Sequence, residues 1–134
     1  MKTEFLFAFG QDWPLVDNFV LCASEVGCCL VASTYFDWML ECLVEFNGLR
    51  TVRPVVDWNE DVGVYDGGSS SFDIDSRFMD GLRRLTLLSP SPDWSRIVPS
   101  NGSAVPSAQE FLTAIFRFFQ QAQERHSEVT ITLQ

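Results

Sequence analysis

From Ser107 to Arg125 the chain repeats its apolar residues with helical spacing. Phe111, Leu112, Ile115, Phe118, Phe119 and Ala122 fall on one face of a 3.6-residue period. Ser107, with Glu110 three residues later, has the spacing of a capping box, so the helix is expected to start there. The same kind of pattern predicts three further helices. The first covers about 14–26, with Asp12 as N-cap, Pro14 in the first turn, Leu15, Phe19, Val20, Cys22 and Val26 inward, and Gly27 as the stop. The second opens at Ser33-Thr34, with Asp37 near its positive end. It turns Phe36, Met39, Leu40, Leu43 and Val44 inward and ends at Asn47-Gly48. The third runs over about 72–88 with Phe72, Phe78, Met79, Leu82 and Leu85 inward, and Gly81 weakens it by ~1 kcal/mol.

Between these helices the pattern becomes β-like. Phe5–Phe9 reads as a strand or extended packing segment bounded by Gly10. Leu49–Trp58 is rich in β-branched residues, with Pro54 arguing for an edge. Residues 59–61 form a turn and Val62–Tyr65 a return strand. Gly67-Gly68 and Ser69–Ser71 read as a loop, and the alternating Val129, Ile131 and Leu133 as a terminal strand. The segment Ser89–Pro106 holds four prolines and few apolar residues, which in a small domain marks a functional or disordered loop. Together these elements predict an all-α fold: a single domain, 1–134, built as an antiparallel four-helix bundle with a small β element at one end.

Composition is consistent with one packed domain. The 134 residues are 46% hydrophobic and include 12 Phe and 4 Trp, enough to bury a core. No apolar run approaches the ~18 residues of a spanning helix, and Phe5–Phe9 is too short for the apolar centre of a signal peptide. A cytosolic protein is expected. The four cysteines, Cys22, Cys28, Cys29 and Cys42, have no C-x-x-C spacing and stand with a single histidine, His126. Buried reduced thiols are expected, without a metal. The net charge of −9 is uneven, because residues 1–76 hold 3 basic and 13 acidic side chains, whereas residues 77–134 hold 6 and 5. Lys2 is the only lysine.

No catalytic set stands out. The carboxylates Asp57, Glu60, Asp61, Asp66, Asp73 and Asp75 fall in polar turns and read as a solvated face. There is no G-x-S-x-G, His126 reads as a surface residue, and Gly67-Gly68 lacks the lysine of a phosphate loop. The arginines Arg77, Arg83, Arg84, Arg96 and Arg117 carry more information. They are either salt-bridge partners of Asp80, Asp93 and Glu110 or a phosphate-binding line where the long loop meets two helix ends. Arg117, set among aromatics, is either paired with a carboxylate or reaches over the rim.

One resemblance covers most of the chain. Phe5-Leu6-Phe7 is followed by Trp13-Pro14 and then by Asn18, Leu21-Cys22 and Gly27. Glu45-Phe46 closes the second helix, Thr51-Val52-Arg53 and Pro54 precede Val64-Tyr65, Asp93 and Arg96-Ile97 follow the third helix, and Ala114-Ile115 and Arg117 lie on the fourth. In this order and spacing the chain resembles the coat proteins of rod-shaped plant RNA viruses of the tobacco mosaic virus type. That resemblance implies a four-helix coat subunit, not an enzyme, that stacks with its own copies into discs or helical rods. The subunits would package single-stranded RNA without base readout, in the virion and host cytoplasm, with no cofactor and no membrane. It implies a structural salt bridge between Asp93 and Arg117, RNA phosphate facing Arg96, and Glu110 beside the RNA groove. Arg83 and Arg84 would stand in for the second arginine that the family places near the first. Glu45, Asp73 and Asp75 would be carboxylates repelling across subunit interfaces, and the apolar extremities Phe5–Phe9 and Val129–Leu133 would pack laterally against neighbours. The alternative is an acidic helical module, a viral or phage regulator, that binds a basic protein partner through its acidic half.

Overall fold

Two short apolar runs around Ser24-Glu25-Val26 decide the architecture. The computed structural model describes residues 5–9, 18–47, 69–72, 76–88 and 107–133. The expected strands over 49–65, the Gly67-Gly68 turn and the loop 89–106 lie outside them, as do Asp73, Asp75, Asp93 and Arg96. Where a helix over 14–26 is expected, residues 18–26 instead begin a β-hairpin. Strand β2 (Asn18–Ala23) turns back on β3 (Gly27–Ala32) in full register, from Asn18 opposite Ala32 to Ala23 opposite Gly27. Phe19 and Val20 in β2 and Val31 in β3 favour the pleated surface, and alternate positions of both runs are buried. The Val26 amide donates to the Ala23 carbonyl at 3.0 Å, which closes the turn. Gly27, which reads as a helix stop, instead completes that turn at φ 131°, a backbone region that L side chains rarely adopt.

The hairpin is the middle of a five-stranded mixed sheet. Its other strands are β1 (Phe5–Phe9), β4 (Ser69–Phe72) and β5 (Val129–Leu133), in the order β1-β3-β2-β5-β4. Strand β1 runs parallel to β3, and every other pairing is antiparallel. Phe5–Phe9 and Val129–Leu133 are strands as expected. They pair within the chain, with β5 seated between β2 and β4. Ser69–Ser71, expected as loop, belongs to β4.

Three described helices complete the fold: α1 (Ser33–Asn47), α2 (Ser76–Leu87) and α3 (Ala108–Glu124). Helix α1 begins at Ser33 and ends at Asn47, as its sequence signals predict. Helix α2 is shorter than expected at its start, because Phe72 ends β4. Helix α3 begins as its capping box requires, with the Glu110 amide donating to Ser107 Oγ at 3.1 Å. The all-α four-helix bundle is therefore replaced by an α/β architecture: one sheet with helices packed on it.

The helices cover one side of the sheet. Phe19, Leu21 and Ala23 of β2, Cys29 and Val31 of β3, and Val129 and Ile131 of β5 alternate inward and join one core with the buried faces of α1, α2 and α3. Aromatic pairs tie the layers together. Phe9 meets Phe111 at 5.7 Å, Phe7 meets Phe118 at 6.4 Å and Phe19 meets Phe36 at 6.0 Å. Phe78 and Phe119 lock α2 to α3 at 5.1 Å, edge to face. The fully buried rings among them, Phe19, Phe36, Phe78, Phe111 and Phe119, each contribute about 1.5–3 kcal/mol by leaving water.

The cysteines divide by side. Cys22 and Cys28 face each other across the hairpin and form a disulfide, with Cα atoms 4.1 Å apart. This corrects the expectation of four reduced thiols: reading residues 14–26 as a helix hid the cross-strand position. Cys29 and Cys42 are buried thiols outside any disulfide, in keeping with that expectation. Burial pushes the Cys29 thiol well above its ordinary range, and the Tyr35 hydroxyl is raised for the same reason.

Candidate interaction surface

Two helix ends and a helix start converge at one edge of the helical layer. The C-terminal turns of α1 and α2 bring Phe46 together with Arg84, Leu87 and Leu88, which line an open depression of about 400 Å³. Gln109 Nε2 donates to the Thr86 carbonyl at 3.5 Å, so the start of α3 meets the same end of α2. Phe46 continues the inward stripe of α1, three residues after Leu43, into the last turn, whereas Leu87 falls off the stripe of α2; they remain 49% and 74% exposed. They are two of the three large apolar side chains exposed among the described residues, the third being Leu6 of β1. Arg84 stands in the last turn of α2, where a cation complements the helix dipole. Glu45, next to Phe46, and Glu41 one turn earlier are exposed on α1.

The residues expected to work as a site are only partly brought together. Arg83 and Arg84 are exposed on α2, and Arg84 joins the depression beside Phe46. Glu110 and Arg117 lie along α3, where with Thr113 and Ala114 they line a second, shallower depression of about 470 Å³. Arg117 is on the solvent side of α3, not in its aromatic core, which is formed by Phe111, Ile115, Phe118 and Phe119. Its expected partner Asp93, and Arg96, lie outside the described residues. Glu45 is exposed at the end of α1, whereas Asp73 and Asp75 are outside the described residues. Phe46 and Leu87 had no place in the expected site. Only Leu87 carried a signal, as an apolar residue two positions past Leu85 and off the stripe of α2; Phe46 sits on the stripe of α1 and reads as core.

A second polar cluster sits at the opposite connections of the sheet. Arg125 Nη1 donates to the Glu25 carbonyl in the β2–β3 turn at 2.7 Å. Ser127, the one buried polar side chain of the described core, has its Oγ 3.4 Å from Ser24 Oγ and accepts from the Glu25 amide at 3.5 Å. His126, exposed at φ 52°, turns the chain from α3 into β5. These groups tie the hairpin turn to the α3–β5 turn.

Among the described residues no helix is long and apolar enough to cross a membrane. Comparison with protein-family models, with curated proteins and with solved structures finds no match.

Proposed function

We propose that the chain is a small acidic protein-binding module, not an enzyme, that docks a basic partner through the helix-end surface around Phe46 and Leu87. The observation that supports this reading is the exposure of both side chains on one depression, with Glu45 exposed next to Phe46 and Glu41 one turn earlier as acidic groups for a basic partner. An apolar centre with charged groups beside it is the usual anatomy of a protein interface. The net charge of −9 favours encounter with a positively charged partner. The coat-subunit reading rests on the order and spacing of residues along the chain, and it implied a four-helix bundle whose apolar extremities pack against neighbouring subunits. Here those extremities are strands inside one sheet.

Capture from the source cell's extract, with and without Phe46→Asp and Leu87→Asp, tests the proposal. The expected result is a specific basic protein that the native chain retains. Binding of that protein, reconstituted pure, should weaken at least tenfold in the double variant and decline with added salt. Equal affinity of both forms for the captured protein would overturn the assigned surface. Discs or rods in electron micrographs at pH 5–8, with single-stranded RNA taken up, would overturn the module itself in favour of the coat subunit.

A further inference from the structure

We propose that the Cys22–Cys28 disulfide is a redox-operated clasp: reduction releases the β2–β3 turn while the sheet and helices stay folded. Cys22 and Cys28 are directly opposed on the side of the sheet away from the helices, and both are half-buried. The bond is therefore within reach of an external thiol, and cutting it removes nothing from the core. It is also topologically redundant. Strand β2 is still held by β5, and β3 by β1, while the ring that the bond closes spans a separation of only six residues. A short ring adds little to the constraint that the hairpin already imposes.

The other thiols cannot stand in for the clasp. Cys29 follows Cys28 but points into the helix-facing core, and Cys42 is buried on α1. A buried thiol stays protonated and is a poor nucleophile. Exchange must then begin outside the protein, and reoxidation returns Cys22 to Cys28 without a competing partner. What opening releases is local. The turn between the two cysteines leans on Arg125 and Ser127 of the α3–β5 connection through contacts of 2.7–3.5 Å. Loosening the hairpin end weakens that junction.

The step balances with a dithiol reductant. One of its thiolates attacks a sulfur of the bond, forming a mixed disulfide and expelling the other cysteine as a thiolate that takes a proton from water. The second reductant thiol, as its thiolate, attacks the mixed disulfide and frees the remaining cysteine. Two electrons and two protons pass to the protein, and the reductant leaves as its own disulfide.

Equilibration of the folded protein in dithiothreitol of graded ratio, followed by alkylation, peptide mass analysis and hydrogen exchange, tests this. Expected are two alkyl groups, on Cys22 and Cys28 alone, an unchanged far-ultraviolet spectrum, and amide exchange across 23–27 at least tenfold faster. The variant in which Cys22→Ser and Cys28→Ser are combined should show the same fast exchange without reductant. Four alkylated cysteines with loss of the spectrum would make the bond a staple of the whole fold and overturn the clasp. So would unchanged exchange at 23–27, or four free thiols in the air-oxidised protein.

Discussion

The two sides of the central sheet are built from alternate residues of the same strands, and they follow different rules. On the helix side, Phe19, Leu21, Cys29, Val31, Val129 and Ile131 are at most 3% exposed and lie against the aromatic faces of α1 and α3. On the outer side, Val20, Cys22, Cys28, Leu30, Thr130 and Thr132 are half-buried. Cys28 and Cys29 are neighbours in the chain, yet one is bonded near the surface and the other is a free thiol in the core. One residue of register separates an inert group from a reactive one. Helix α3 repeats the lesson: Phe118 is core, and Arg117 beside it is solvated.

The largest test of that division is Phe111→Ala. Phe111 is fully buried where α3 meets Phe9, Tyr35 and Trp38, so its loss should cost about 3–5 kcal/mol in denaturant unfolding. A cost below about 1 kcal/mol would show that the sheet and α3 are not packed as described. Next comes the pair Leu21→Ala and Val20→Ala on adjacent positions of β2. About 2–4 kcal/mol is expected for the buried leucine and less than about 1.5 kcal/mol for the half-buried valine. Equal costs would erase the difference between the sides.

A smaller effect reads the inner side through pH. The Cys29 thiol ionises around its ordinary value of 9.0 in the unfolded chain, whereas burial keeps it protonated in the folded one. The folded state then binds more protons, and stability is lost as pH rises. A fall of about 1 kcal/mol between pH 9 and 10 is expected from this group, with Tyr35 steepening the loss at higher pH. Chemical unfolding of Cys29→Ala should show a flatter profile over that interval, and an unchanged slope would refute the assignment. The smallest effect is expected at Arg117→Ala, within about 0.5 kcal/mol for an exposed side chain. A loss near 3 kcal/mol would instead reveal a buried ion pair and restore the partnership with Asp93.

Much of the helical layer was legible in the sequence. Helix α3 announces itself because its inward stripe is apolar, its outward face is polar and its cap is explicit. Helix α1 and strand β5 were readable for similar reasons. The hairpin was not, because its outer side is not polar. With Val20, Cys22, Cys28 and Leu30 alternating against Phe19, Leu21, Cys29 and Val31, nearly every position is apolar, and period two vanishes. Leu15, Phe19, Val20, Cys22 and Val26 also satisfy a helical template, so the wrong period was chosen. The disulfide was lost with it. The candidate surface was illegible for another reason. Phe46 and Leu87 matter through the meeting of two helix ends, and no local pattern encodes that meeting.

The seat of β5 between β2 and β4 has a consequence for how the chain is made. Phe19 pairs with Leu133 and Ala23 with Val129, partners separated by more than 100 positions, while β2 and β3 need only a three-residue turn. The hairpin can form within microseconds, but its outer edge on β2 waits for β5, the last of the described strands, to be synthesised. During that interval the nascent chain displays an unpaired strand edge lined by Phe19 and Leu21, an invitation to wrong partners. Ribosome-bound chains halted before Val129 should therefore recruit chaperones, and release of that dependence should coincide with the emergence of β5.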